Sequence, residues 1–263
     1  MLKTLKNLNQ TQRITLIVLS AALVGCLAMM AVTPARSALT YFSPEYEAEI
    51  AQTHIGVALT ENGTENVNIR SGVGDLKLDK VAEEIAEQDA ETEGTSLIPG
   101  KAYTELLSVK NISEDVATAE GTAAEGMPEY VRLTVRKYWS EGESADSATK
   151  KPSLDPSLIE LVFDEKSAEC WVRSEAECTP EREVFYYKTV LAPGEAAAQP
   201  AVTAIRVSDR IKNTVESYAS CWLTLDAQVD SVQVNNAVAA AKSAWGIDVT
   251  QFADEGLDWS GEE

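Results

Sequence analysis

The sequence predicts a mainly β protein: an antiparallel β-sandwich with a short acidic helical insertion and one helix near the C-terminus. Three observations carry that expectation. Short segments in which apolar and polar residues alternate recur along most of the chain, about seven to nine of them. Turn chemistry punctuates them, as in Asn62-Gly63 and the two Leu-x-Pro-Gly stretches at Leu97–Gly100 and Leu191–Gly194. Helical periodicity is confined to two places, and long polar loops separate the strands, which is the pattern of a sandwich rather than of alternating βα units.

Taken in order, the elements are these. In "AQTHIGVALTENG" (Ala51–Gly63), Ile55, Val57 and Leu59 alternate with small or polar neighbours, a strand that runs into the Asn62-Gly63 turn. Leu78, Val81, Ala82 and Ile85 then lie at helical spacing with acids opposite, so a short amphipathic helix is expected over Leu76–Gln88, inside an acidic insertion at 76–95. After the Pro99-Gly100 turn a strand ends at Asn111, with Tyr103, Glu105, Leu107 and Val109 on one face and Leu106 and Ser108 on the other. "PEYVRLTVRKYW" (Pro128–Trp139) alternates most cleanly: Val131, Leu133, Val135 and Trp139 oppose Arg132, Thr134 and Arg136, as in a half-buried antiparallel strand. Residues 140–157 read as a loop.

Further strands are expected at Leu158–Phe163, Glu183–Leu191 and Ser220–Val234, with "LAPGEAAAQP" between the last two as a turn and crossover. The second helix follows: Asn236 is placed to cap it, Ala237–Trp245 are good helix formers, and Gly246 suits a left-handed stop. Val238, Ala241 and Trp245 share one face, for core packing.

The amino terminus reads as an export signal. Lys3, Lys6 and Arg13 precede an uncharged run, Ile14–Val32, which Pro34 ends. Ala35 and Ser37 are small residues at the positions cleavage requires, so processing between Ser37 and Ala38 by a signal peptidase is expected, leaving 38–263 as a single domain. The run is also long enough to span a bilayer as an uncleaved anchor, the one route to membrane association, and "LVGC" at Leu23–Cys26 formally matches a lipoprotein cleavage box. Release to the cell exterior or cell surface is the leading expectation.

Charge narrows the partners. The 22 basic residues include four within 1–37, which has no acid, so residues 38–263 hold 18 basic against 42 acidic side chains, about −24. Such a surface repels phosphate backbones, which argues against nucleic acid. Acidic loops also make Ca²⁺ a possible cofactor of an adhesin-like or ligand-binding sandwich, although no D-x-D-x-D-G loop is present.

The chemistry-bearing residues are few. Beyond the signal the cysteines are Cys170, Cys178 and Cys221. The spacing of Cys170 and Cys178 suits a hairpin or short loop, and export favours oxidation, so a Cys170–Cys178 disulfide is expected, with Cys221 buried or paired to one of them. His54 is the only histidine, which removes the H-E-x-x-H zinc helix, and no G-x-S-x-G elbow supplies a serine nucleophile. No catalytic residue is assigned, and the expectation is a protein that is not an enzyme.

Several stretches together suggest a family: Tyr41-Phe42 just after the signal, "PGKAYTELLSVKN", "YVRLTVRKYW", "YYKTVLAPGEAAAQP" and "DAQVDSVQVNNAVAAAKSAWGID". They resemble the TasA/camelysin-type exported proteins of Gram-positive bacteria. That resemblance implies a jelly-roll β-sandwich, a dedicated signal peptidase, and a structural role at the cell surface or in the biofilm matrix, with further copies or related matrix proteins as partners. It also implies strand addition by the mature amino terminus, for which Ala38, Tyr41, Phe42, Tyr46 and Ile50 are the candidate donor residues; the alternative is that this segment forms the first strand of its own sandwich. Camelysin-like members are described as surface metallopeptidases, an activity for which this sequence has no zinc signature. The 76–95 insertion, the cysteines and the 140–157 loop lie outside the shared pattern.

Overall fold

The computed structural model describes residues 56–66, 73–92, 97–113, 126–144, 147–213, 217–218, 221–257 and 259. All lie in the compact unit Gln52–Glu263. Its architecture is two antiparallel sheets, as the alternation predicts. The first sheet orders its strands β2 (Thr64–Asn66), β1 (Val57–Glu61), β4 (Ala102–Asn111), β10 (Val202–Val207) and β7 (Ile159–Val162). The second orders β3 (Val73–Asp75), β11 (Cys221–Gln233), β5 (Glu129–Glu141), β9 (Arg182–Tyr187) and β8 (Trp171–Arg173), with β6 (Thr149–Lys150) beside β5.

The side-chain period of two builds the core. On β4, Tyr103, Glu105, Leu107 and Val109 are buried and the residues between them more exposed. The same parity on β5 sends Val131, Leu133, Val135 and Trp139 inward, where they meet Leu59, Ile159, Trp171, Phe185, Ile205 and Leu225. β5 and β11 pair over thirteen residues, Glu129↔Gln233 to Glu141↔Cys221, and form the spine of the second sheet. The Asn62-Gly63 turn joins β1 to β2 with φ of 50° and 82°, the left-handed pair that a two-residue hairpin needs.

The outer face of the second sheet is covered as well. Helix α3 (Ala237–Trp245) and the 3₁₀ turn Val249–Glu255 lay Ala237, Ala241, Val249 and Phe252 against Tyr130, Val184 and Tyr186. Trp259 closes this smaller core, stacking on Tyr130 at 4.6 Å and donating its indole N–H to the Tyr187 carbonyl at 3.2 Å.

The structure corrects the bounds of one helix, one cap and several loop readings. The acidic helix α1 spans Asp79–Thr92 rather than Leu76–Gln88, because the Leu76 N–H still bonds the Leu225 carbonyl and Leu78 turns into the left-handed region at φ 53°. Asn236 also sits left-handed, at φ 57°, and its side chain makes no cap bond; Gly246 does supply the left-handed stop. The stretch after "LAPGEAAAQP" forms β10, between β4 and β7, and the 140–157 loop contains β6. Residues 165–173 form the short helix α2 (Glu165–Cys170) and β8.

Candidate functional site

The expected processing site at Ser37 and Ala38, the donor candidates Ala38, Tyr41, Phe42, Tyr46 and Ile50, and His54 lie outside the described residues. The root of that segment is described. Gly56 donates its N–H to Glu129 Oε1 at 2.7 Å, and its carbonyl accepts the Ile112 N–H at 2.8 Å. Glu129 belongs to β5 and Ile112 follows β4, so the chain entering β1 is tied to both sheets at once.

Among the described residues β2, β7, β3 and β8 stand at sheet edges, and a cleft lies beside β8. Helix α2 carries the chain from β7 in the first sheet to β8 in the second, capped by Asp164, whose carboxylate accepts the Ser167 N–H at 2.8 Å. Two bonds bracket β8: the Lys188 N–H to the Cys170 carbonyl and the Ser174 N–H to the Val184 carbonyl, both 2.9 Å. By strand alternation, residues 170, 172 and 174 then turn their backbone groups toward β9, and Trp171 and Arg173 turn theirs away. The Trp171 N–H is taken by the Ser167 carbonyl at the end of α2. What remains on the outer side is the Trp171 carbonyl with the Arg173 N–H and carbonyl. No described strand pairs with that side.

An open cleft of about 380 Å³ runs along this edge, lined by Phe163, Ala168, Trp171, Arg173, Lys188 and Glu255 among others. Its charged walls are held from behind. Arg173 Nε donates to Glu183 Oε2 at 2.9 Å, and the same guanidinium reaches Glu175. Glu183 also pairs with Lys137 in the interior, where both side chains are less than a tenth exposed. Lys188 Nζ donates to the Ala168 carbonyl at 2.7 Å. Fixed side chains around an unpaired backbone edge suit the binding of an extended polypeptide, in which main-chain bonds supply affinity and apolar walls receive side chains. Among the described residues no group of three or more His, Cys, Asp or Glu side chains is arranged to hold a metal. No described helix is long and apolar enough to cross a membrane.

The expected Cys170–Cys178 bridge is not formed: Cys170, Cys178 and Cys221 are all free thiols. Cys170 lies opposite Lys188, whereas the Cys178 sulfur accepts the Val184 N–H at 3.4 Å. Four residues of extended chain separate those positions, roughly 13 Å at ~3.3 Å per residue. A disulfide needs Cα atoms within ~7 Å. The residues between the cysteines are not one loop: the first three are spent on β8, which carries the chain away from Cys170. Burial pushes the Cys178 thiol above its ordinary value, against the relieving Val184 N–H and Arg173 charge. Cys221 stands apart, at the start of β11.

Sequence reasoning missed this edge because β8 is three residues long, too short for alternation to register. The available signal was the pairing of helix cap and helix, Asp164 followed by Glu165–Cys170. Comparison with family models, with characterised proteins and with solved structures finds no match to this chain.

Proposed function

We propose that this protein is a secreted, non-enzymatic structural protein of the cell surface or biofilm matrix, and that it assembles by strand addition. The donor is the mature amino-terminal segment carrying Ala38, Tyr41, Phe42, Tyr46 and Ile50, and the acceptor is the outer edge of β8 on a neighbouring copy. The observation that carries the reading is the open cleft beside an unpaired strand edge. The TasA/camelysin resemblance, with the jelly-roll wiring it implies, supports the same reading from the sequence side. The firm double anchor at Gly56 also supports it, since a donor arm pulls against its own root. The sparse catalytic vocabulary of the sequence fits a structural role.

The test uses purified mature protein from Ala38 onward. Electron microscopy and light scattering should show filaments or chains that disappear when Ala38–Tyr46 is deleted. Ala168→Glu, which fills the cleft without touching the β8–β9 pairing, should abolish them too while leaving the circular dichroism spectrum unchanged. Absence of polymers at every pH, salt and protein concentration, or polymers indifferent to both changes, overturns the proposal.

A further inference from the structure

At the end of the sandwich farthest from Gly56, two inward-facing glutamates of neighbouring strands meet under α1. Glu61 on β1 is 6% exposed and Glu105 on β4 is fully buried. Their surroundings are unequal. Glu61 Oε1 accepts the N–H groups of both Lys77 and Leu78, each at 2.8 Å, at the joint where the chain enters α1. Glu105 Oε2 accepts one bond, from the Asn62 amide at 3.1 Å, while Glu105 Oε1 makes no hydrogen bond among the described residues. A carboxylate buried with an unsatisfied oxygen is costly in a way a neutral carboxyl is not.

The joint itself is strained. Leu78 holds φ at 53°, a region that a bulky side chain avoids, and its carbonyl accepts the Ala82 N–H as the first bond of the helix. The grip of Glu61 on two successive N–H groups keeps Leu78 there. Beyond the joint, Val81 is buried in the main core and Ile85 packs against it, and Glu84 accepts the Thr104 N–H at 3.0 Å. The helix is therefore fastened by the Glu61 carboxyl at its start, by Val81 and Ile85 on its apolar side, and by its own Glu84 carboxyl on the β4 backbone.

Charged groups stand on several of the surrounding elements. On α1 they are Asp79, Glu83, Glu84 and Glu87, with Lys80 paired to Glu83. Lys77 precedes the helix, Lys101 on the approach to β4 lies over the Tyr103 ring at 4.7 Å, and Lys110 on β4 pairs with Glu65 of β2. Across the core, Lys137 of β5 is committed to Glu183. Burial, reinforced by the Glu61 and Asp79 carboxyls against the single Asn62 bond, pushes Glu105 up to about 7.

We infer that the Glu61–Glu105 pair is a proton-operated latch: α1 is docked on the sandwich end while Glu105 is neutral and loosens from it when Glu105 ionises beside Glu61. Loosening releases the Leu78 strain and uncovers the seat of Val81. The inference stands apart from the strand-addition reading, because it concerns the other end of the domain and requires no second copy.

Hydrogen exchange read by mass spectrometry on the mature protein, corrected for the intrinsic pH dependence of exchange, tests it between pH 5 and pH 8. Amides of residues 78–87 should lose tenfold or more of their protection across that range while those of β5 and β11 keep theirs. Glu105→Gln, which cannot ionise, should hold α1 protected at pH 8. If that variant fails to fold, Asn62→Ala removes the bond that eases ionisation of Glu105 and should move the wild-type transition to higher pH. Protection of α1 that does not change with pH in the wild type, or that is lost equally in Glu105→Gln, overturns the latch.

Discussion

Glu183 is the residue on which the β8 edge depends. Its two oxygens serve Lys137 from β5 and Arg173 from β8, so one side chain on β9 ties the edge strand to the sheet centre. Both Lys137 and Glu183 are nearly shut off from water, a setting in which the pair adds little over an apolar substitute but in which losing one partner is severe. Glu183→Gln should therefore cost about 3–5 kcal/mol by urea denaturation, because it strands the Lys137 ammonium in the interior. Lys137→Met with Glu183→Gln should recover much of that loss, and no recovery would count against the paired-charge account. None of this was legible in the sequence. Lys137 read as an interruption of the apolar face of β5, and nothing in the spacing matched it to an acid 46 residues later.

Among the elements, the glycine turns and the glycine helix stop transferred best from sequence to structure, because their chemistry is local, whereas the Asn236 cap did not form. Both Leu-x-Pro-Gly stretches end in a left-handed glycine, with φ of 88° at Gly100 and 75° at Gly194, and Gly246 stops α3 at 75°. The surroundings of these glycines differ. A Cβ on Gly246 meets open space, whereas one on Gly100 would lie 2.7 Å from the Asp209 carboxylate. Gly246→Ala should cost about 1 kcal/mol, the backbone strain alone. Gly100→Ala should cost distinctly more, since Asp209 must also give way. Thermal melts of the two variants side by side check the ranking, and equal losses would contradict it. The elements that sequence reading misplaced are those set by distant partners. β10 is a strand because β4 and β7 flank it, and the disulfide expectation failed because β8 uses the residues that a closing loop needed.

On the scale of the whole molecule, the ionisable groups define a stability optimum on the acid side. Glu105 and Glu129 are both raised, chiefly by burial. Their contribution is complete below the ordinary glutamate range and is lost as pH climbs, for Glu105 toward about 7. Asp155 and Asp164 are lowered, by the Ser157 hydroxyl and amide and by the Ser167 amide respectively, so their contribution is lost in the opposite direction, as pH falls below the ordinary aspartate range. Melting temperature should peak near pH ~5 and decline by about 4–8 °C toward pH 8, corresponding to on the order of 2 kcal/mol. Glu105→Gln should remove most of that decline. A flat profile, or a maximum at pH 8, would contradict the assignment.

By itself the sequence determined the sandwich class, the parity of its long strands and the hairpin turn. Each of these rests on information carried within a few residues: a period of two, or a dipeptide that tolerates positive φ. Only the tertiary structure decided that three residues after a short helix form a free sheet edge beside a cleft. It likewise decided that two glutamates 44 positions apart share one interior corner, and that two cysteines close in sequence stand too far apart to join. Those properties depend on which strands become neighbours, and that choice is made by burial of the whole core rather than by any segment of it.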